Sequence, residues 1–437
     1  MEETTNFKTV NPNAAGIDLG AEKIFVSVDG VKVENFRTFT ADYRKCISYL
    51  KEHGIKSVAM EATGVYWIAF HEMLESSGLE VCLVNPKEVR QVKGRKSDVS
   101  DCQWIQKLHS AGLLQASSIP KGKLKELRLM VRERLDIIEM GSAYVNKMQK
   151  ALELMNIKLT SVISQIQGAS GLRMIEAILK GERSAEKLLS LCDERIITKK
   201  GDDVIKALEG NYNTTYLFML NNNLQMWKLH QEALTNVDQK IESLLEELNQ
   251  NRPHIPPDQT KVKPIRHHKP EINDLHQKML DAYGANVSSI SGLNDYSLLR
   301  LIGETGNDLS RFPSAKHFTS WCQLSPKHKQ SGSKTKVLKI KTRSQAGQIF
   351  RDAARSILNS RYIAIGAFMR KIRSKKGASI AIKAGARKIA EAYYNLLTKG
   401  KSYVEQGILA YEMKIKQREY NLIQKLALKH NLSVVSA

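Results

Sequence analysis

Long apolar runs are missing from this 437-residue chain. No stretch approaches the roughly 18 apolar residues a membrane span needs, and the polar opening MEETTNFKTV lacks the apolar core of a signal peptide. The five cysteines (Cys46, Cys82, Cys102, Cys192, Cys322) lie 20 or more residues apart, which excludes a CxxC pair and a disulfide framework. A reducing, cytoplasmic setting with no membrane partner is therefore expected. Only ten prolines occur, and five of them crowd residues 251–270. That density blocks helix and sheet, so 251–270 reads as a linker and as the clearest domain boundary. Its His267 and His268 have no cysteine or acid at ligand spacing.

Acids are missing from one region above all. Between Pro326 and Lys388 there are 18 Lys+Arg and a single acid, Asp352, a charge of +17 over 63 residues. Residues 1–86 carry 8 basic and 12 acidic side chains, so that end is slightly negative although the whole chain is +22. Such a concentration of cations calls for a polyanion, and nucleic acid fits best. Arg370, Lys371, Arg373, Lys375 and Lys376 form its densest run. Aromatics are thin there (Phe350, Tyr362, Phe368), so phosphate tracking is expected rather than base stacking.

The fold class reads as α/β followed by all-α. KIFVSVDG alternates in the period-2 manner of a strand, and further strands are expected near 33–39, at SVAMEA and at EVCLVNP, with helices between them. Such alternation implies a mixed sheet covered by helices over residues 1–120. Residues 121–250 hold two long helices with apolar residues at three- and four-residue spacing, an antiparallel or dimeric coiled coil, with a helical insert near 171–209. After the linker, a helical domain is expected over 271–404 and a short helix and tail over 405–437.

Four carboxylates stand out. Asp18 ends the first strand in GIDLG and Glu61 ends a later one in AMEATG. Asp98 and Asp101 lie three apart at a helix start, which puts them on one helix face. Carboxylates at strand ends point to the crevice where α/β sheets bind ligands. Gathered together they suit Mg²⁺, which binds carboxylate and phosphate oxygens at once. Singly, each also fits a bland role as helix-start acid, loop residue or turn former.

The order Asp18, Glu61, Asp98, Asp101, with the phrases GIDLGAEKI, MEATGVYW and LVNPKEVRQVKGRKSDVSDCQWI, resembles the DEDD transposases of bacterial insertion sequences, specifically the "IS one-ten" group related to pilin-gene invertases. The resemblance implies a ribonuclease-H-like (RuvC-like) N-terminal domain in which these four residues bind Mg²⁺. It extends to SPKHKQSGSKTK, where Ser331 and Gly332 match the family's serine nucleophile motif. Ser333 is a competing hydroxyl, and a polar turn binding phosphate non-covalently is the plainer reading of QSGS. Lys327, Lys329, Lys334 and Lys336 flank Ser331 and are suited to hold a scissile phosphate. The family further implies donor and target DNA as partners, a bridge RNA as guide, a homo-oligomer (dimer or tetramer) with a composite site, and a bacterial, nucleoid-associated setting.

The leading expectation is a recombinase that moves its own element through a phosphoserine–DNA intermediate. A metal-dependent Holliday-junction resolvase without a covalent intermediate is the alternative, and a non-catalytic nucleic-acid-binding protein a third. SISGLND (Ile290, Gly292, Leu293) resembles a helix-hairpin-helix turn in which Asn294 takes the place of a second glycine.

Overall fold

The computed structural model describes residues 8–62, 64–84, 98–114, 116, 120, 122–256, 262–326, 328–331, 334–337, 344–400 and 407–432, with backbone alone at 98–100, 328–331, 334–337 and 408. Its contacts divide the chain into two compact units, Met1–Ile119 and Pro120–Ala437.

The first unit is a five-stranded sheet: β1 (Ala14–Leu19), β2 (Lys23–Ser27), β3 (Glu34–Arg37), β4 (Ser57–Glu61) and β5 (Glu80–Val84). The order is β3-β2-β1-β4-β5. The first three strands form an antiparallel meander, and β1, β4 and β5 run parallel. Side chains alternate between the two faces. Ile17, Leu19, Val58 and Met60 face one core with Tyr43, Cys46 and Leu50 of helix α1 (Thr40–Glu52) and Phe70 and Leu74 of α2 (Trp67–Ser76). The apolar residues of α1 recur at three- and four-residue spacing, and the helix stops at Gly54, whose φ is +66°. On the other face, Ala59 and Val84 meet Ile105 of α3 (Asp98–Ser110).

The second unit begins with α4 (Lys123–Leu154) and later α9 (Thr214–Asn249), which pack antiparallel within the chain. The pairing shows the direction: Lys123 bonds Glu247, Arg134 bonds Asp238, and Gly141 lies against His230. At one end, α5 (Leu159–Val162), α6 (Ala169–Leu179), α7 (Ala185–Ser190) and α8 (Glu194–Ala207) close a separate core over Met148, Leu152, Leu220 and Leu224.

At the other end the long helices join α10 (Leu275–Tyr283), α11 (Asp295–Thr305), α12 (Ala315–Trp321), α13 (Gln345–Ile357), α14 (Ala364–Lys376) and α15 (Ala378–Lys399). A two-stranded ribbon, β6 (His328–Ser331) and β7 (Lys334–Val337), lies between α12 and α13 in the chain, and α16 (Gly407–Lys429) packs on α14. Side-chain caps start several helices: Asn294, Ser314 and Ser344 accept from the backbone N–H three residues on.

Leu127, Val131, Ile241 and Leu244, before the Pro-rich stretch, share a single core with Leu298, Ile302 and Tyr393 beyond it. Segments on both sides of residues 251–270 thus share one packed core, and the division between the two units falls at Ile119/Pro120, next to the expected end of the first domain. Proline blocks regular backbone but does not stop its flanks from packing together. Among the described residues, no helix is long and apolar enough to cross a membrane.

Candidate active site and nucleic-acid interface

The parallel register of β1 and β4 pairs Ile17 with Met60. One residue further along each strand stand Asp18 and Glu61, at the carboxyl edge and on the face opposite Ile17 and Met60. That face is the one α3 covers. Gln106 Nε2 donates to the Ala14 carbonyl at 3.1 Å, and His109 Nε2 lies 2.5 Å from Ser57 Oγ. The later turns of α3 thus lie over the strand starts, and its first turn, with Asp98 and Asp101, lies toward the strand ends. Asp18 and Glu61 thus share one face and one edge of the sheet, and the helix turn that carries Asp98 and Asp101 starts toward that edge.

Gly16 makes this approach possible. A Cβ there would stand 2.2 Å from Gln106 N and 2.3 Å from Cys102 O, so only glycine lets α3 lie this close to β1. Cys102 lies at this close approach, its carbonyl oxygen facing Gly16. Burial, followed by the charges of Asp18 and Asp101, pushes its thiol up to about 12. Glu61 is buried, and Asp18 accepts the Leu19 N–H at 3.1 Å.

The donor set is all carboxylate, the chemistry that suits a hard divalent cation. The side chain of Asp98 falls outside the described residues, and among those described no three His, Cys, Asp or Glu gather closely enough to hold an ion.

In the second unit, Ser331 ends β6, and the ribbon register pairs it with Lys334 and Lys329 with Lys336. These four positions therefore share one face of the ribbon. Lys327, Gly332 and Ser333 lie outside the described residues.

The basic run falls on α14. Arg370 Nη1 donates to the Leu358 carbonyl at 3.4 Å and also to the Ser360 carbonyl, and Arg373 donates to Asn359 Oδ1 at 3.0 Å. Lys371 pairs with Glu419 at 3.6 Å, and Lys375 and Lys376 are exposed at the helix end. Arg370 thus ties α14 to the preceding loop. Of the aromatics noted in this stretch, Phe350 is buried in the core while Tyr362 is exposed.

The SISGLND turn is built for packing. Gly292 has φ +90°, and a Cβ there would stand 2.7 Å from the Ala353 carbonyl oxygen. Asn294 takes an extended φ of −122° and caps α11 through its side chain. It therefore does not supply the positive φ of a second glycine in a phosphate-binding hairpin.

Two family models match the chain. One, described as a transposase of the IS110 DEDD type, matches residues 15–157, which include all four acids. The other, described as Transposase IS116/IS110/IS902 family, matches residues 284–365, which include Ser331. No curated protein matches the chain. The two matches, in the family's order and together spanning just over half the chain, show that it belongs to the IS110 family of DEDD transposases, enzymes that act on DNA.

Proposed function

We propose that this transposase moves its insertion element by cutting and rejoining donor and target DNA through a covalent serine intermediate. The placement of Asp18 and Glu61 at the carboxyl edge of the sheet, with the start of α3 running toward it, supports the reading. The meander-then-parallel order of the sheet also supports a ribonuclease-H-like (RuvC-like) domain over residues 1–120. Residues 121–250 would serve as the helical coiled-coil region, 271–404 as the transposase domain that carries the serine, and 405–437 as a C-terminal helix and tail.

Asp18, Glu61, Asp98 and Asp101 would hold Mg²⁺. When bound, Mg²⁺ neutralises charge on the scissile phosphate and positions it. Ser331 supplies the nucleophile: its Oγ forms a bond to phosphorus, one bridging sugar oxygen leaves, and the hydroxyl proton passes to solvent or to that oxygen. Lys329, Lys334 and Lys336, with Lys327, suit the negative charge that builds on the phosphoryl oxygens. Rejoining reverses the step with a new sugar hydroxyl, so no external energy source is needed. A homo-oligomer brings acidic and basic halves together, and a bridge RNA selects the sequence; the cation-rich second unit suits both nucleic acids.

The test is capture of protein–DNA adducts with Mg²⁺ present. Ser331→Ala abolishes adducts, and Asp18→Asn abolishes cleavage without altering the circular dichroism spectrum. Free 5′-phosphate ends with no adduct in the unmutated protein would establish the resolvase alternative. Recombination by protein stripped of RNA would remove the guide.

A further inference from the structure

The strongest unassigned feature is a groove of about 550 Å³ between α14 and α16. Tyr411 and Arg418 on its α16 wall, and the lysines of its α14 wall, lie beyond both family matches. Its floor is apolar, with Phe368 from α14 and Tyr411 from α16 among aliphatic side chains. Its rim is cationic: Lys371, Lys375 and Lys376 on one wall and Arg418 on the other. Among the described residues that line it the one acid, Glu419, is paired with Lys371. Among the described residues no acid forms an ion pair with Lys375, Lys376 or Arg418. Lys371 and Lys375 stand one helical turn apart, about 6 Å along the axis.

Apolar floor and cationic rim together fit one chemical shape: a planar base carried between phosphates. Bases inside a duplex are stacked and cannot reach Phe368 or Tyr411, so the base must be unpaired. Among the described residues the floor is Phe368, Tyr411 and aliphatic side chains, with the Tyr411 hydroxyl its one polar side-chain group, so stacking there tolerates any base. Strand breakage and rejoining leaves unpaired DNA beside the cut, whereas a merely basic surface would need no aromatic floor.

We propose that this groove binds an unpaired DNA strand, with one base on Phe368 and Tyr411 and the neighbouring phosphates on Lys375, Lys376 and Arg418. The proposal rests on the DNA-acting function, but its failure leaves the acidic site and Ser331 untouched.

The test uses full-length protein and three fluorescein-labelled probes of one sequence: single-stranded DNA, duplex DNA and single-stranded RNA, read by anisotropy. Tyr411→Ala and Arg418→Ala should each weaken single-stranded DNA binding roughly ten-fold while duplex binding changes by less than about two-fold. Tyr411→Trp, which keeps a stacking face, should restore binding and shows that α16 has not simply detached. A 2-aminopurine placed in the strand should change its emission on binding to the unmutated protein but not to Tyr411→Ala. Equal losses on single strand and duplex would overturn the proposal and leave a general phosphate patch. Tighter RNA binding that falls in the same variants would make it an RNA site. Unchanged binding in both variants would leave the groove to an acidic peptide.

Discussion

Gly16 and Gln106 are in van der Waals contact closer than any side chain allows: a Cβ on Gly16 would meet Gln106 N at 2.2 Å. Backbone atoms on both sides cannot yield as a flexible side chain can. Gly16→Ala therefore pushes α3 off β1, two residues from Asp18. The expected cost is about 1–3 kcal/mol of stability or more, with DNA cleavage falling further because Asp98 and Asp101 move with the helix. Chemical denaturation and a cleavage assay on the same preparation check both parts. Unchanged unfolding together with full activity would sink the argument.

The buried thiols make a second prediction. Burial raises Cys46 and Cys102 from an ordinary value of 9.0 to about 12, with Asp18 and Asp101 adding to the effect at Cys102. In the unfolded chain these thiols ionise near 9, while in the folded protein they keep their protons. Between about pH 9 and 12 the folded state therefore binds more protons, and stability falls as pH rises. Cys46→Ala plus Cys102→Ala should flatten the fall in urea midpoint across that window. At pH 8, a thiol reagent should modify half-buried Cys82 first and the four buried cysteines only after denaturation.

A third prediction concerns Arg370. Its contacts with the Leu358 and Ser360 carbonyls hold α14 against the preceding loop. Arg370→Ala should lower thermal stability, whereas Lys375→Ala and Lys376→Ala should leave it unchanged and weaken DNA binding in a salt-dependent way. Thermal unfolding and binding titrations at two salt concentrations separate the roles.

How legible these features were depended on the range of the contacts. Period-2 alternation marked Ile24 and Val26, and carboxylates at the ends of buried strands marked Asp18 and Glu61, because both signals are local. The shared core was not legible: Leu127 meets partners more than 150 residues away, and no pattern near Leu127 names them. Proline density at 251–270 recorded backbone restriction, which says nothing of whether the flanks pack together. Arg370 looked like its neighbours in the charge run, since spacing does not show where a guanidinium finds carbonyls. Tyr411 gave no sign of a floor, because that floor exists only once α16 lies on α14.

One of the non-local contacts is a buried ion pair. Arg134 Nε lies 2.5 Å from Asp238 Oδ1, and both side chains are buried. Arg134 also donates to Tyr296 Oη at 2.9 Å and lies 4.9 Å from that ring's centroid, while Asp238 Oδ2 accepts the Glu271 N–H at 2.9 Å. The cluster ties both long helices to α11 and to the chain just past the Pro-rich stretch. Removing one partner strands the other charge without water, so Arg134→Met should cost about 3–5 kcal/mol. Neutralising both should recover most of that loss. Asn is the right replacement for Asp238, because its carbonyl oxygen still accepts from Glu271 while a leucine would orphan that N–H. Arg134→Met with Asp238→Asn should therefore be more stable than Arg134→Met alone, a coupling read from urea midpoints of the four proteins. Losses that simply add would show that the pair acts through packing rather than charge.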